Sequence, residues 1–203
     1  MNITTIAPVI PVVVIDDALT AVPLARALLD GGVGVIELTM RTPAAVDAIE
    51  RIAREVPEMV VGAGTVLNDQ QAADATAAGA QFLVSPGAPR GLIAAMRRTG
   101  VGYLPGASTV TEVMTLLDAG VTTVKFFPAS AAGGPQFLGA LASVLPMVRF
   151  CPTGGITAET APDYLALPNV DCVGGTWLTP KDAVAAGDWQ RITELAAASL
   201  SLR

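Results

Sequence analysis

Two lysines stand in this chain, and one of them, Lys125, lies in the middle of an apolar, β-type run, Thr-Val-Lys-Phe-Phe, at 123–127. Burying an ammonium group there is costly unless it is paired. Such a lysine either completes an ion pair that fills the interior, or it uses its amine, which when neutral attacks a carbonyl carbon to form a Schiff base. The run at 35–41 offers a partner. Val35, Glu37, Thr39 and Arg41 alternate with Ile36, Leu38 and Met40, so one face of a strand is apolar and the other carries the polar groups. Glu37 is then either the structural partner of Lys125 or a carboxylate that shuttles protons through imine and carbon-acid chemistry. Arg41 can grip a substrate carboxylate with its planar fork, or simply start a surface loop. Thr65, after Gly62-Ala63-Gly64, can donate to the same carboxylate or satisfy a strand-end carbonyl. Two glycine pairs follow, Thr153-Gly154-Gly155 and Gly174-Gly175-Thr176. They suit a phosphate cradle in which backbone N–H groups and helix N-termini meet the anion, or tight turns at positive φ.

Other chemistries are disfavoured by composition. The chain has no histidine, which removes the usual base of nucleophilic triads and the commonest zinc ligand. Cys151 and Cys172 are too far apart for a CxxC pair and sit in apolar segments, so they read as buried thiols, with neither a disulfide nor a metal site expected. Lys181 follows Pro180 and reads as a solvated loop residue. Arg149, at the start of its strand, reads as an ion-pair member at the far end of the fold, and Trp177 and Trp189 as packing residues.

The elements that position these groups recur evenly. Apolar β-type runs at 9–15, 35–40, 60–66, 82–85, 103–105, 123–127, 149–152 and 172–178 are each followed by a helical pattern. Strands alternating with helices predict a parallel sheet with right-handed crossovers. Asp16-Asp17 caps a helix that Gly31-Gly32 ends, and Thr42-Pro43 opens the next, which stops at Pro57. Asn68 with Gln71, and Thr109 with Glu112, have capping-box spacing. Pro135 starts a helix that Pro146 ends, and the last begins near Asp188. Eight βα units in 203 residues predict an α/β fold, a (β/α)8 TIM barrel, as a single domain over residues 1–203. Active sites of that fold lie at the C-terminal ends of the strands, and phosphate sites commonly follow strands seven and eight.

With 52% hydrophobic and 15% charged residues, the chain can fill one core. No apolar run approaches the ~20 residues of a membrane span. The N-terminal apolar stretch holds Pro8 and Pro11 and runs into Asp16-Asp17, so it does not read as a secretory signal, and a cytoplasmic protein without membrane contact is expected. A net charge of −6 with dispersed arginines provides no stripe for a nucleic-acid backbone.

Six segments in order carry a resemblance: Val-Ile-Glu-Leu-Thr-Met-Arg-Thr (35–42), Val-Gly-Ala-Gly-Thr-Val (61–66), Val-Ser-Pro-Gly (84–87), Val-Lys-Phe-Phe-Pro-Ala (124–129), Arg-Phe-Cys-Pro-Thr-Gly-Gly-Ile (149–156) and Gly-Gly-Thr-Trp-Leu (174–178). Together they resemble the 2-keto-3-deoxy-6-phosphogluconate (KDPG) aldolases and 4-hydroxy-2-oxoglutarate (KHG) aldolases. The resemblance implies a class I aldolase that cleaves KDPG to pyruvate and glyceraldehyde 3-phosphate through a lysine imine, with no metal and no cofactor. It also implies a cytoplasmic homotrimer of the Entner-Doudoroff pathway, with side activity on 4-hydroxy-2-oxoglutarate. By the same resemblance Lys125 is the imine lysine and Glu37 the proton shuttle. Arg41 and Thr65 hold the pyruvyl carboxylate, Phe127 lines the site, Thr153 meets the substrate hydroxyls, and Gly154, Gly155 and Thr176 cradle the phosphate. Two other readings stay open: a phosphosugar isomerase or synthase on a phosphate-binding barrel, which would account for the glycine pairs, and a trimeric scaffold without catalysis.

Overall fold

Long stretches of Val, Ile and Leu form strands buried on both faces, as parallel strands covered by helices require. In β1 (Val9–Val13) and β2 (Val35–Thr39) every residue is buried. The computed structural model describes residues 3–202, so the outermost residues of the domain expected over 1–203 lie outside the described residues. β2 pairs in parallel with β1 and with β3 (Val60–Gly64), placing Val12, Glu37 and Gly62 at one level. β4 (Phe82–Val84) and β5 (Gly102–Leu104) extend this sheet on one side and β9 (Val173–Gly175) on the other, giving the order β5-β4-β3-β2-β1-β9. A second parallel sheet holds β6 (Gly106–Ala107), β7 (Thr123–Phe126) and β8 (Arg149–Pro152).

The fifth apolar run therefore differs from the single strand expected at 103–105. It divides at Pro105 into β5, which pairs with β4, and β6, which pairs with β7. Proline has no N–H for a ladder, but its carbonyl accepts the Lys125 N–H at 2.9 Å, so the chain passes from one sheet to the next without leaving the layer. On the opposite side, isolated parallel bridges Thr153–Gly174 and Phe150–Val170 bring β8 against the β9 region. The result is an α/β fold with a curled parallel sheet. Regular pairing resolves it into a six-stranded and a three-stranded part rather than one continuous eight-stranded ladder.

Helices follow the strands with the expected punctuation, adjusted in detail. Asp17 caps a short 3-10 turn (Ala18–Thr20), accepting the Leu19 N–H, and α1 (Ala21–Asp30) continues from it to Gly31. The opening at Thr42-Pro43 leads into α2 (Ala45–Glu55), while the Thr42 hydroxyl donates to the Ile15 carbonyl. Asn68 caps α3 (Asp69–Ala77), but the Gln71 side chain reaches back to the Leu67 N–H rather than to that of Asn68. α4 (Arg90–Arg98) precedes β5, and α5 (Val110–Asp118) has a full capping box between Thr109 and Glu112. α6 (Gly134–Val144) begins with Pro135, and α7 (Ala161–Leu165) and α8 (Lys181–Ala186) are short. Asp188 caps α9 (Trp189–Ser199). The outer face of β7 is sealed by Phe126, which stacks on Phe137 of α6 at 5.3 Å and meets Phe150 edge-on at 6.4 Å. At the N-terminal end of the strands Arg149 pairs with Asp171, whose other oxygen accepts the Thr4 hydroxyl at 3.1 Å, the far-end ion pair expected of Arg149. Among the described residues no helix is long and apolar enough to cross a membrane.

Candidate active site

Strand parity brings the central pair together. Glu37 in β2 and Lys125 in β7 both point into the space enclosed by the sheets, with Lys125 Nζ 3.2 Å from Glu37 Oε1 and side chains 5% and 4% exposed. Small neighbours make the room. A Cβ on Gly64 would run into the Glu37 carboxylate, and a Cβ at Gly62 into the Phe82 ring. The glycines of β3 thus exist to admit a carboxylate and an aromatic ring where ordinary side chains would fill the interior. Lys125 is flanked in register by Gly106 and Cys151, and its ammonium lies 5.7 Å from the Phe127 ring centroid, within reach of a cation–π contact. Cys151 and Cys172 are both buried, as expected.

Above this pair opens a cavity of about 390 Å³. Its walls include Arg41, Thr65, Lys125, Phe127, Thr153, Gly154, Gly155 and Thr176, the whole predicted set except Glu37, which is in hydrogen-bond contact with Lys125. Arg41, just beyond the end of β2, is exposed and makes no ion pair among the described residues. A planar cation left free at the mouth of a cavity that holds a buried amine suits a carboxylate. Thr65 has φ +56°, the only non-glycine residue at positive φ among the described residues. Its neighbours pin it there: the Met40 N–H donates to the Gly64 carbonyl at 2.7 Å and the Val66 N–H to the Val84 carbonyl at 3.0 Å. For a β-branched residue that conformation is strained.

The two glycine pairs serve different ends. Gly154 and Gly155 have φ of +102° and +72° and form a true turn after β8. It is latched to the loop after β7, where the Ala129 and Ser130 N–H groups donate to the Thr153 and Gly154 carbonyls at 2.8 and 3.1 Å. Gly174 and Gly175 lie within β9 with no positive φ. They are small because a Cβ would strike the Thr153 hydroxyl and the Trp177 ring respectively. The helix N-terminus expected beside the first pair is absent from this spot, because α7 starts only at Ala161. An anion here would meet backbone N–H groups of the turn and the Thr176 hydroxyl, without a helix end.

Sequence reasoning missed Val12, Pro86 and Ile156 as cavity walls, while Gly174 belongs to the second glycine pair it had singled out. Pro86 sits inside the quoted Val-Ser-Pro-Gly segment, and Val12 shares the register of Glu37, so both had a signal. Lys181 also departs from its expected place in a loop: it is the first residue of α8 and lines a neighbouring cavity.

The arrangement combines a buried amine, a carboxylate in hydrogen-bond contact with it, a free arginine at the mouth and a glycine turn opposite. Such a set suits imine chemistry on a 2-keto acid with an anionic distal end. The family model of the KDPG and KHG aldolases matches residues 1–195. The KHG/KDPG aldolase of Escherichia coli K12 is 54% identical over 195 residues, covering 96% of this chain and 92% of that protein. Among solved structures, KDPG aldolase from Legionella pneumophila, with pyruvate captured at low pH as a covalent carbinolamine intermediate, superimposes with a TM-score of 0.95 at 46% identity, covering 98% of this chain and 96% of that one. The 2-keto-3-deoxy-6-phosphogluconate aldolase of Zymomonas mobilis ZM4 with 3-phosphoglycerate gives 0.92 at 46% identity, covering 98% and 94%.

Proposed function

This chain belongs to the KDPG and KHG aldolase family, and from that premise we propose how its own residues perform the reaction. The protein is an aldolase of the lyase class that cleaves 2-keto-3-deoxy-6-phosphogluconate to pyruvate and glyceraldehyde 3-phosphate; relatives 52% and 54% identical are named 2-dehydro-3-deoxy-phosphogluconate aldolase and KHG/KDPG aldolase. The observation that carries the assignment of roles is the Lys125–Glu37 contact at 3.2 Å beneath the cavity.

The neutral Lys125 amine attacks C2 of the keto acid, and Glu37 passes a proton to the oxygen so that the carbinolamine loses water. The protonated imine then draws the C3–C4 electron pair as Glu37, directly or through water, takes the C4 hydroxyl proton. Aldehyde leaves, the enamine is protonated at C3, and water hydrolyses the imine to release pyruvate and restore the amine. Arg41 and Thr65 hold the carboxylate, Phe127 packs along the chain, and Thr153 meets the hydroxyls. Gly154, Gly155 and Thr176 bind the phosphate. Positive groups gathered at the mouth offset the −6 net charge for an anionic substrate. An isomerase or synthase would need acid–base carboxylates and no mid-strand lysine, and a scaffold would not need a buried amine and acid in contact.

Three further features belong to the same proposal. The curled sheet closes as one (β/α)8 barrel domain over residues 1–203, supported by the continuity at Pro105 and the Thr153–Gly174 bridge. The chain assembles as a homotrimer, for which exposed apolar side chains such as Leu67 and Met114 leave surface to cover. It works in the cytoplasm, in the Entner-Doudoroff pathway. Borohydride reduction in the presence of pyruvate tests the central role: a stable adduct on Lys125 is expected, and Lys125→Ala should form none and lose cleavage. An adduct on Lys181, or no mass change, would overturn it.

A further inference from the structure

A second cavity, of about 570 Å³, opens beside the catalytic one and shares Val12, Arg41 and Thr176 with it. Val12, Val14 and Asp16 follow one another at the same parity along its wall, and Lys181 stands at the start of α8 on another side. Asp17 also lines it, but its carboxylate is engaged, accepting the Leu19 N–H at 2.9 Å. Asp16 and Lys181 are exposed, and neither makes an ion pair among the described residues. With Arg41, which both cavities share, three uncommitted charges face this space, and of them Asp16 and Lys181 belong to the outer cavity alone.

We infer that Lys181 and Asp16 set, in opposite directions, the preference for phosphorylated over unphosphorylated substrate. The inference rests on the reading that the distal phosphoryl group is held at Gly154, Gly155 and Thr176. An anion bound at Thr176 borders the outer cavity, where the Lys181 ammonium attracts it and the Asp16 carboxylate repels it. Neither residue is among the walls of the inner cavity that holds Lys125. Both charges therefore act on binding of the intact substrate rather than on the C3–C4 cleavage, and their effect belongs in KM and not in kcat. Because both are solvated, each effect is modest and weakens with salt.

The test compares KM and kcat for 2-keto-3-deoxy-6-phosphogluconate and for 2-keto-3-deoxygluconate, which differ only in the phosphoryl group. Lys181→Met should raise the ratio of phosphorylated to unphosphorylated KM about three-fold, and Lys181→Arg should restore it. Asp16→Asn should lower the ratio by a similar factor, and both shifts should shrink in about 0.5 M salt. Shifts in the same direction, or equal changes in kcat for both substrates, would overturn the inference and mark the residues as structural. If Gly155→Val raises the ratio while the Lys181 and Asp16 variants leave it unchanged, the phosphate reading stands and this inference fails. If none of the variants moves the ratio and inorganic phosphate does not compete, the phosphate reading fails and takes the inference with it.

Discussion

Glu37 reaches Lys125 only because residue 64 has no side chain, which ties a glycine in one strand to the proton transfer proposed for another. Glu37→Gln keeps the shape and hydrogen bonding but removes the base, so turnover should fall by about 10²-fold or more while slow trapping of pyruvate on Lys125 persists. Steady-state rates and intact-mass kinetics on one preparation check both halves, and wild-type turnover would leave the carboxylate a structural role. Gly64→Ala should act on the same pair through space alone: its methyl group displaces the carboxylate, so turnover falls although no titratable group has been changed. At the distal end, Gly155→Val combines a backbone at φ +72° with a collision against Ser130. It should raise KM for the phosphorylated substrate far more than it slows imine formation with pyruvate, and equal losses in a folded variant would contradict the division of the site into two ends.

Among the elements, α5 is the best placed for a quantitative check, because its N-terminus closes on one acid. The Ser108 N–H, with further donors from Thr109, holds the Glu112 carboxyl below the usual carboxylate range against a smaller opposing effect of burial. A carboxylate lowered on folding stabilises the native state above its unfolded value, and that contribution is lost as pH falls through the lowered one. Glu112→Gln should therefore cost stability near neutral pH and little in acid, where the wild-type group is protonated too. Thr109→Ala should cost about 1 kcal/mol, a drop in Tm of about 2–4 °C for a chain of this size, readable by thermal denaturation at the two pH values. This capping box was legible from Thr109 and Glu112 because it depends on local spacing alone. The inward face of β2 was legible for the same reason, since Val35, Glu37, Thr39 and Arg41 alternate with apolar residues. What local pattern does not carry is the meeting of distant loops. The division at Pro105, the walls supplied by Pro86 and Ile156, and the place of Lys181 in a cavity that Thr176 also lines depend on how far each loop reaches, which no periodicity records. The reading of Gly174-Gly175 as a tight turn fails for a related reason: glycine required by a neighbour's bulk looks the same in sequence as glycine required by a turn.

For the molecule as a whole, the absence of histidine and the separation of Cys151 from Cys172 point to activity that survives chelation. EDTA should leave cleavage intact, and a loss restored by zinc or magnesium would contradict a purely lysine-based mechanism. Light scattering should find an assembly of three 20.6 kDa chains. The strained Thr65 also bears on how such a protein can change under selection. Asn accepts the left-handed region far better than a β-branched residue, so Thr65→Asn should raise the thermal midpoint while weakening the hold on the pyruvyl carboxylate. A laboratory lineage enriched only for heat resistance would drift toward Asn or Gly at this position and arrive at a sturdier fold with a poorer active site. Keeping Thr65 through such a campaign requires that every round also screen for turnover.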